Sequence, residues 1–294
     1  MITIDFNRLD LKSGYKILDI GCGEGRHTAK AWEFENTFCV GADMCYKDLA
    51  VAKEKIETHE EFIKNYLESK NKTNFQGLKS QVAEFQSAEP QNSQVQSSKL
   101  EDSDSKCSDS QWVLCNSDIN LLPFADNTFD IVICSEVMEH IHQEQKALEE
   151  LKRVLKPKGQ LALSVPRYLP EKICWKLSKE YCNTEGGHIR IYKKKELLEK
   201  IIPLGFQFYG SHYAHSLHTP FWWLKCLMGC PNQSVSNSNF NIINLYHKLL
   251  VWDIMENPFI TRFIEKLLNP IIGKSLALYF IKNTDSISGK MQIR

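Results

Sequence analysis

Apolar and polar positions alternate in blocks over the first 70 residues. The apolar run at residues 15–20 ends in a glycine cluster, residues 24–34 have helical composition, and residues 37–42 form a second apolar run. Residues 45–69 then place apolar side chains at helical spacing on a polar background. This order of strand, helix, strand and helix is typical of a parallel sheet covered by helices.

The pattern is interrupted between residues 71 and 110. This stretch is rich in Ser, Gln, Asn and charged residues, and it has too few large apolar groups for burial to offset the entropy lost on ordering. Apolar runs return at residues 111–116, 129–135 and 159–165, with a helical pattern at 143–155. We therefore expect residues 71–110 to be a flexible polar insertion on the surface of one domain, not a domain boundary.

The carboxy-terminal part has a helical pattern at residues 194–202, a strand pattern at 206–212 and a final strand pattern at 275–282. Between the last two strands lies a segment dense in aromatic and histidine residues, which continues into a long amphipathic pattern at 242–268. Such a segment predicts helices that are inserted into the sheet domain.

These patterns together predict an α/β fold. We expect a Rossmann-like, seven-stranded and mostly parallel sheet with helices on both faces, and a mainly helical cap inserted between the last two strands. The sheet domain would comprise residues 1–213 and 275–294, and the cap would comprise residues 214–274.

Composition restricts the classes of partner and compartment. The 36 basic and 36 acidic side chains cancel, so no general attraction to nucleic acid is expected. The amino terminus lacks the layout of a signal peptide, and no apolar run approaches the roughly 20 residues of a membrane-spanning helix. The ten cysteines include no Cys-x-x-Cys pair, and several lie in apolar runs. A reducing, cytoplasmic setting follows as the expectation.

A glycine-rich turn follows the first predicted strand, with the spacing Gly21-x-Gly23-x-Gly25. Glycines let the backbone turn sharply and let a ligand approach the main chain, and the helix that follows offers unpaired N–H groups. In the dinucleotide fingerprint the third glycine would stand at position 26, which is Arg26 here. Asp43 ends the second predicted strand, where an acid can bind a pair of ribose hydroxyls.

Asp19 and the turn from Gly21 to Gly25 resemble motif I of the class I S-adenosylmethionine-dependent methyltransferases. The resemblance is closest to the small-molecule branch that includes the quinone-biosynthesis methyltransferases. Further segments match that family in order: residues 116–119 with 122–124 as the acidic adenine-binding loop, 129–132 as the fourth strand, 135–140 as the segment after it, and 151–159 as the turn into the fifth strand.

The resemblance implies S-adenosylmethionine as cofactor. Its amino-acid part would lie against the glycine turn, its ribose against Asp43, its adenine against Asp118 and Ile119, and its ammonium against the backbone of residues 135 and 136. The implied cofactor-binding residues are Asp19, Gly21, Cys22, Gly23, Gly25, Asp43, Met44, Asp118, Ile119, Ser135 and Glu136. Taken alone, Asp43 could instead cap a helix, Asp118 could form a turn, and Asp19 could be a buried acid bonded to nearby N–H groups.

Two histidines are candidates for taking a proton from the acceptor or contacting it. His188 ranks first, because a similar His-x-Arg-x-aromatic segment borders the substrate mouth in related enzymes, and His140 ranks second, because it follows the cofactor segment directly. Each could equally bond to backbone groups. His212, His215 and His218 have no carboxylate or cysteine ligand near them in the sequence, so no metal is expected.

The segment Phe221-Trp222-Trp223 allows three interpretations: a pocket lining for a hydrophobic acceptor, packing against residues 242–268, or peripheral contact with a membrane. The predicted function is methyl transfer to a small, hydrophobic metabolite or lipid precursor by direct displacement. A nicotinamide-dependent dehydrogenase and a non-catalytic S-adenosylmethionine-binding module are the alternatives. We expect a cytoplasmic protein, peripherally membrane-associated if those aromatic residues contact lipid.

Overall fold

The computed structural model describes residues 1–69, 111–182, 187–229, 241–256 and 258–284. The insertion predicted at residues 71–110 lies outside the described residues, so its flexibility stays a prediction.

The seven predicted strands form one sheet in the order β3-β2-β1-β4-β5-β7-β6. Strands β1 to β5 are mutually parallel, whereas β7 runs antiparallel to both of its neighbours. The fold class predicted from the sequence is therefore confirmed. The strands are β1 (Lys16–Ile20), β2 (Phe38–Asp43), β3 (Gln111–Asn116), β4 (Phe129–Ser135), β5 (Leu155–Pro166), β6 (Phe206–Ala214) and β7 (Ser275–Lys282).

Helices follow most strands, as the alternating pattern predicts. They are α1 (Arg26–Trp32), α2 (Tyr46–Ser69), α3 (Glu144–Val154), α4 (Tyr168–Leu177), α5 (Lys179–Cys182), α6 (Lys194–Ile201), α7 (His218–Leu227), α8 (Asn241–Glu256) and α9 (Phe259–Ile272). The prediction did not include α4 and α5. Pro170 suggests a break in the sequence, but it stands in the first turn of α4, where no helical N–H is needed.

Alternating side chains of the central strands pack into separate clusters on the two faces of the sheet. Leu18 and Val132 join a cluster with Leu151 of α3, while the adjacent Ile17 and Ile133 join another. The second cluster contains residues of α1, α2 and the amino-terminal segment, namely Ala31, Trp32, Ile63, Ile4 and Phe6. Because successive strand residues point to opposite faces, this alternation places helices on both sides of the sheet.

Helices α7, α8 and α9 lie between β6 and β7 in the chain, where the helical cap is predicted. Helix α7 packs against α4 and α8, and Phe221, Ile243 and Leu250 form a small buried cluster of their own. The elements agree with the predicted insertion, and the division into two domains stays a prediction.

Candidate active site

The glycine turn lies between β1 and α1 and is held against the end of β2. The N–H groups of Gly21 and Cys22 both donate to the carbonyl of Ala42, over 2.7 and 3.1 Å. Gly21 has a φ of +67°, and a Cβ on it would stand 2.2 Å from Cγ2 of Val137. Only glycine fits this position, because the segment after β4 closes tightly over the turn.

Asp43 ties the glycine turn to the start of α2. Its Oδ2 accepts the N–H of Gly23 over 2.8 Å, and its Oδ1 accepts the N–H of Cys45 over 2.7 Å. The hydrogen bond with Cys45 caps the start of α2, which is the structural alternative that the sequence leaves open for Asp43. The same half-buried carboxylate also faces a cleft.

Asp19 lies beneath the turn and not in the cleft. Only 2% of the residue is exposed, and its Oδ2 accepts the hydroxyl of Thr28 on α1 over 2.7 Å. Burial raises the pKa of Asp19 to about 7, although the hydrogen bond from Thr28 works in the opposite direction. Asp19 thus joins β1 to α1 and holds the turn from behind.

A cleft of about 580 Å³ opens where the parallel strands end. This is the edge of a parallel α/β sheet at which ligands bind in open-sheet folds. The predicted residues that line the cleft are Gly21, Asp43, Met44, Asp118, Ile119, Glu136 and His140. Cys22, Gly23 and Gly25 belong to the adjoining turn, and Ser135 forms a hydrogen bond with Ser164, with 2.8 Å between their Oγ atoms.

The acidic loop after β3 is organised by its own side chains. Oδ1 of Asp118 accepts both the N–H and the side-chain amide of Asn120, over 2.8 and 2.9 Å. Nδ2 of Asn116 donates to the carbonyls of Asp43 and Met44, so the ends of β2 and β3 are joined. Asp118 therefore forms a turn, as its residue type suggests, and also lines the cleft.

Several lining residues were not predicted. They are Ile20, Ser117, Asn120, Val137, Ile141, His142, Gln143 and Lys146. Most of them directly follow β3 or β4, so their position after a parallel strand is the signal that could have indicated them.

The two candidate histidines are brought together. Their ring centroids are 5.1 Å apart, although the residues are 48 positions apart in the chain. Nδ1 of His140 lies 3.2 Å from the carbonyl of Gly187, and Nδ1 of His188 lies 2.6 Å from Oε1 of Glu171. His140 lines the cleft, whereas His188 does not line it and precedes α6 in the chain.

Glu171 is a site residue that the sequence reasoning missed, because α4 was not predicted. It is 2% exposed and also accepts hydrogen bonds from Nε1 of Trp175 and the hydroxyl of Tyr181, over 3.2 and 3.3 Å. Burial opposes its ionisation, but the hydrogen bond and charge of His188 outweigh burial and hold the pKa of Glu171 below its ordinary value.

Comparison with known proteins decides the family. Residues 3–207, more than half of the chain, match the family described as a methyltransferase domain. The chain belongs to the class I S-adenosylmethionine-dependent methyltransferases. This membership agrees with the resemblance of the glycine turn and of the segments after β3 and β4.

Among relatives of this methyltransferase, the methyltransferase GfsG of Streptomyces halstedii is 24% identical over 159 residues, which is 54% of this chain and 40% of that protein. The ubiquinone/menaquinone biosynthesis C-methyltransferase UbiE of Haemophilus ducreyi is 52% identical over 40 residues, 14% of this chain and 15% of that protein. The match thus spans less than half of the length of these curated relatives.

A solved structure shares the fold at low identity. Phosphoethanolamine N-methyltransferase 2 of Haemonchus contortus, in complex with S-adenosyl-L-methionine, has a TM-score of 0.51 and 16% identity, with 95% of this chain and 51% of that chain covered. At this identity the likeness concerns the fold alone.

The histidines near the cap of this methyltransferase separate into two environments. His212 stacks on Tyr279, and its Nε2 lies 3.1 Å from the carbonyl of Thr3. His215 and His218 instead meet Glu265 of α9, with the candidate ligand atoms within 4.8 Å of one another. The sequence spacing did not indicate this carboxylate, because Glu265 reaches the histidines only through the packing of α9.

The aromatic segment of α7 faces protein. Phe221 is 6% exposed, Trp222 and Trp223 are half-buried, and Nε1 of Trp223 donates to the carbonyl of Pro170 over 3.1 Å. These contacts favour packing or an acceptor pocket over contact with lipid. Among the described residues, no helix is long and apolar enough to cross a membrane.

Proposed function

We propose that this protein transfers a methyl group from S-adenosylmethionine to a small, hydrophobic acceptor by direct displacement. The observation that carries the proposal is that one cleft joins the predicted donor-binding residues to His140. When bound, S-adenosylmethionine supplies a methyl group already activated on a sulfonium, so the protein's main task is to orient the acceptor. In favourable cases such orientation contributes several kcal/mol, up to roughly 7–11 kcal/mol.

The geometry supports a role for several of the donor-binding residues. The glycine turn leaves the main chain accessible, since a Cβ on Gly23 would meet no atom within 4 Å. Each oxygen of Asp43 accepts one N–H, and a carboxylate has about four acceptor sites, so it retains capacity for the ribose hydroxyls. Asp118 and Ile119 would bind the adenine, and the segment at Glu136 would meet the ammonium.

We assign His140 and His188 to the acceptor side of the cleft. His188 is held by Glu171 of α4, an element that takes no part in the glycine turn or the acidic loop. Aromatic rings adjoin His188: the ring centroid of Tyr181 lies 6.3 Å from that of His188 and 6.0 Å from that of Trp222. Such surroundings suit an apolar acceptor body with one polar end.

A peripheral contact with lipid is a further part of the proposal, and its support lies on α9 instead of the Phe221–Trp223 segment. Phe259, Phe263 and Leu267 are 81%, 53% and 58% exposed and recur every four residues. The basic side chains of Arg262 and Lys266 are exposed on the same helix. An exposed apolar stripe with adjacent basic residues fits the surface of an anionic membrane, where a lipid precursor would be found.

Calorimetry with S-adenosylmethionine and with NAD tests the donor. Binding of NAD without S-adenosylmethionine would contradict the proposal and favour a dehydrogenase. Labelled cofactor incubated with extracted lipids and metabolites tests the acceptor: we expect label in an organic-soluble product. Cofactor affinity without label transfer to any fraction would instead favour a non-catalytic binding module.

A further inference from the structure

Three carboxylates and two imidazoles gather where β4 and β5 end. Glu136, Glu139 and His140 follow β4, Glu171 comes from α4, and His188 precedes α6. The two imidazole rings are in edge contact, and His188 is hydrogen-bonded to Glu171. Methyl transfer by orientation alone does not require such a concentration of acidic groups.

Glu139 is the least explained member of this cluster. It is fully buried, and within the described part of the chain no side chain donates a hydrogen bond to either carboxylate oxygen. Nε2 of His140 lies 3.9 Å from Oε1 of Glu139, which is beyond hydrogen-bond distance. A buried carboxylate in this state destabilises the fold unless a proton or a cation compensates it.

Both imidazoles are oriented as metal ligands are. Each uses Nδ1 for an outer contact, His188 with the carboxylate of Glu171 and His140 with the carbonyl of Gly187. A histidine that ligates a metal through one nitrogen characteristically donates its other N–H to a carboxylate or a backbone carbonyl. With the proton on Nδ1, the lone pair is on Nε2.

The ligand atoms of Glu139, His140 and His188 already lie within 4.8 Å of one another. Small side-chain rotations would bring them to one shared ion, whose bonds to nitrogen and oxygen are about 2.0–2.2 Å. Two imidazoles and one carboxylate form a ligand set for divalent first-row metals that leaves further positions open.

We propose that Glu139, His140 and His188 bind one divalent first-row metal ion, that Glu171 positions His188 as a ligand, and that an acceptor hydroxyl occupies an open position on the ion. The role of the ion rests on the proposed methyl transfer, whereas its binding does not. The site departs from the expectation, drawn from the sequence, that no metal is bound.

The location of His140 gives the ion access to the acceptor, since His140 also lines the cleft. A hydroxyl bound to a divalent ion has a lowered pKa, so it can lose its proton to water near neutral pH. The oxygen that remains is the nucleophile that direct displacement requires. The proposal therefore narrows the acceptor class to hydroxyl-bearing compounds.

Titration of the chelator-treated protein with Mn²⁺, followed by the electron paramagnetic resonance signal of the free ion, tests the site without reference to activity. We expect about one tightly bound ion per chain. Glu139→Gln and His188→Ala should each weaken binding by more than tenfold, and Glu171→Gln by about 10- to 100-fold, the usual effect of removing an outer partner of a ligand. Thermal unfolding should show a stabilisation by Mn²⁺ that Glu139→Gln loses.

His218→Ala is the matched control, because it removes a histidine from the other cluster with Glu265. This variant should retain Mn²⁺ binding. Wild-type affinity in Glu139→Gln, or loss of binding in His218→Ala alone, would overturn the proposal. So would an absence of Mn²⁺ binding together with stabilisation by an alkylammonium ion, which would assign the cluster to a cationic acceptor.

Calorimetry with S-adenosylmethionine separates this proposal from the proposed function. Glu139→Gln should retain cofactor affinity within about twofold, because Glu139 does not line the cleft. Loss of metal with intact cofactor binding supports the metal site, whereas wild-type protein that binds metal but no cofactor would contradict only the proposed function.

Discussion

The main-chain N–H of Gly23 donates to Oδ2 of Asp43 over 2.8 Å. This bond joins the glycine turn after β1 to the end of β2, so that the turn and the acid form one hydrogen-bonded unit at the edge of the sheet. A ligand held by either of them therefore depends on both.

Asp43→Ala should weaken S-adenosylmethionine binding by at least about tenfold, because it removes the proposed ribose contact and releases the N–H of Gly23; hydrogen bonds to charged groups are worth about 1.5–3 kcal/mol. Calorimetry measures the change. Asp48→Ala is the control, since Asp48 is in the first turn of α2 but does not line the cleft. Unchanged affinity in Asp43→Ala would remove the ribose assignment.

Gly21→Ala and Gly23→Ala form a matched pair. Both positions have positive φ, but a Cβ at Gly21 would meet Val137 at 2.2 Å, whereas one at Gly23 meets no atom within 4 Å. Gly23→Ala should therefore cost about 1–2 kcal/mol of backbone strain, and Gly21→Ala about 1–3 kcal/mol more from overpacking. Chemical denaturation checks the order. Equal losses would mean that Val137 moves aside freely.

The raised pKa of Asp19 predicts a loss of stability with rising pH. The unfolded carboxyl ionises near 3.8, while the folded one ionises at about 7, so between these values the native state binds the extra proton. Stability should fall over this interval and level off above pH 7. Asp19→Asn should flatten the fall and raise the melting temperature at pH 7, because its amide oxygen can still accept the hydroxyl of Thr28. If Asp19→Asn instead lowered the melting temperature at pH 7, Asp19 would be ionised in the fold.

His188→Ala should reduce kcat by at least about tenfold, because His188 is a proposed ligand of the ion that assists removal of the acceptor's proton, and it should alter cofactor affinity far less. The reason is that His188 is held by Glu171 on the acceptor side and does not line the cleft. Steady-state rates and calorimetry on the same preparation separate the two effects. An equal loss of cofactor affinity and rate would place His188 on the donor side.

Replacing Phe259 and Phe263 together by Ser should reduce binding to anionic phospholipid vesicles by at least about tenfold. The reason is that the loss of each exposed ring removes apolar area from the proposed contact. Co-sedimentation measures the bound fraction. Phe62→Ser is the control, since Phe62 is a partly exposed phenylalanine on α2. Vesicle binding that survives the double replacement would eliminate α9 as the contact.

Six of the residues predicted to bind the donor line one cleft, and donor binding itself stays a prediction. Asp43, Asp118 and Glu136 each follow the end of a parallel strand, and the cleft lies along that edge. Asp43 also accepts an N–H at the start of α2, and Asp118 also forms a turn. These structural roles are compatible with ligand binding by the same carboxylates. Asp19 differs, because it supports the turn from beneath and does not line the cleft.

By itself, the sequence determined the order of the strands and of most helices and the place of the glycine turn, because these depend on the spacing of residues along a single segment. Tertiary structure decided which distant side chains meet. The pairing of His188 with Glu171 needs α4, a helix that was not predicted, and the burial of Glu139 beside His140 depends on elements from separate parts of the chain. Tertiary structure also decided which apolar residues of α7 and α9 are covered: Phe221 is buried, whereas Phe259 is exposed. Composition gives the apolar character of a helix, but packing selects which face is covered.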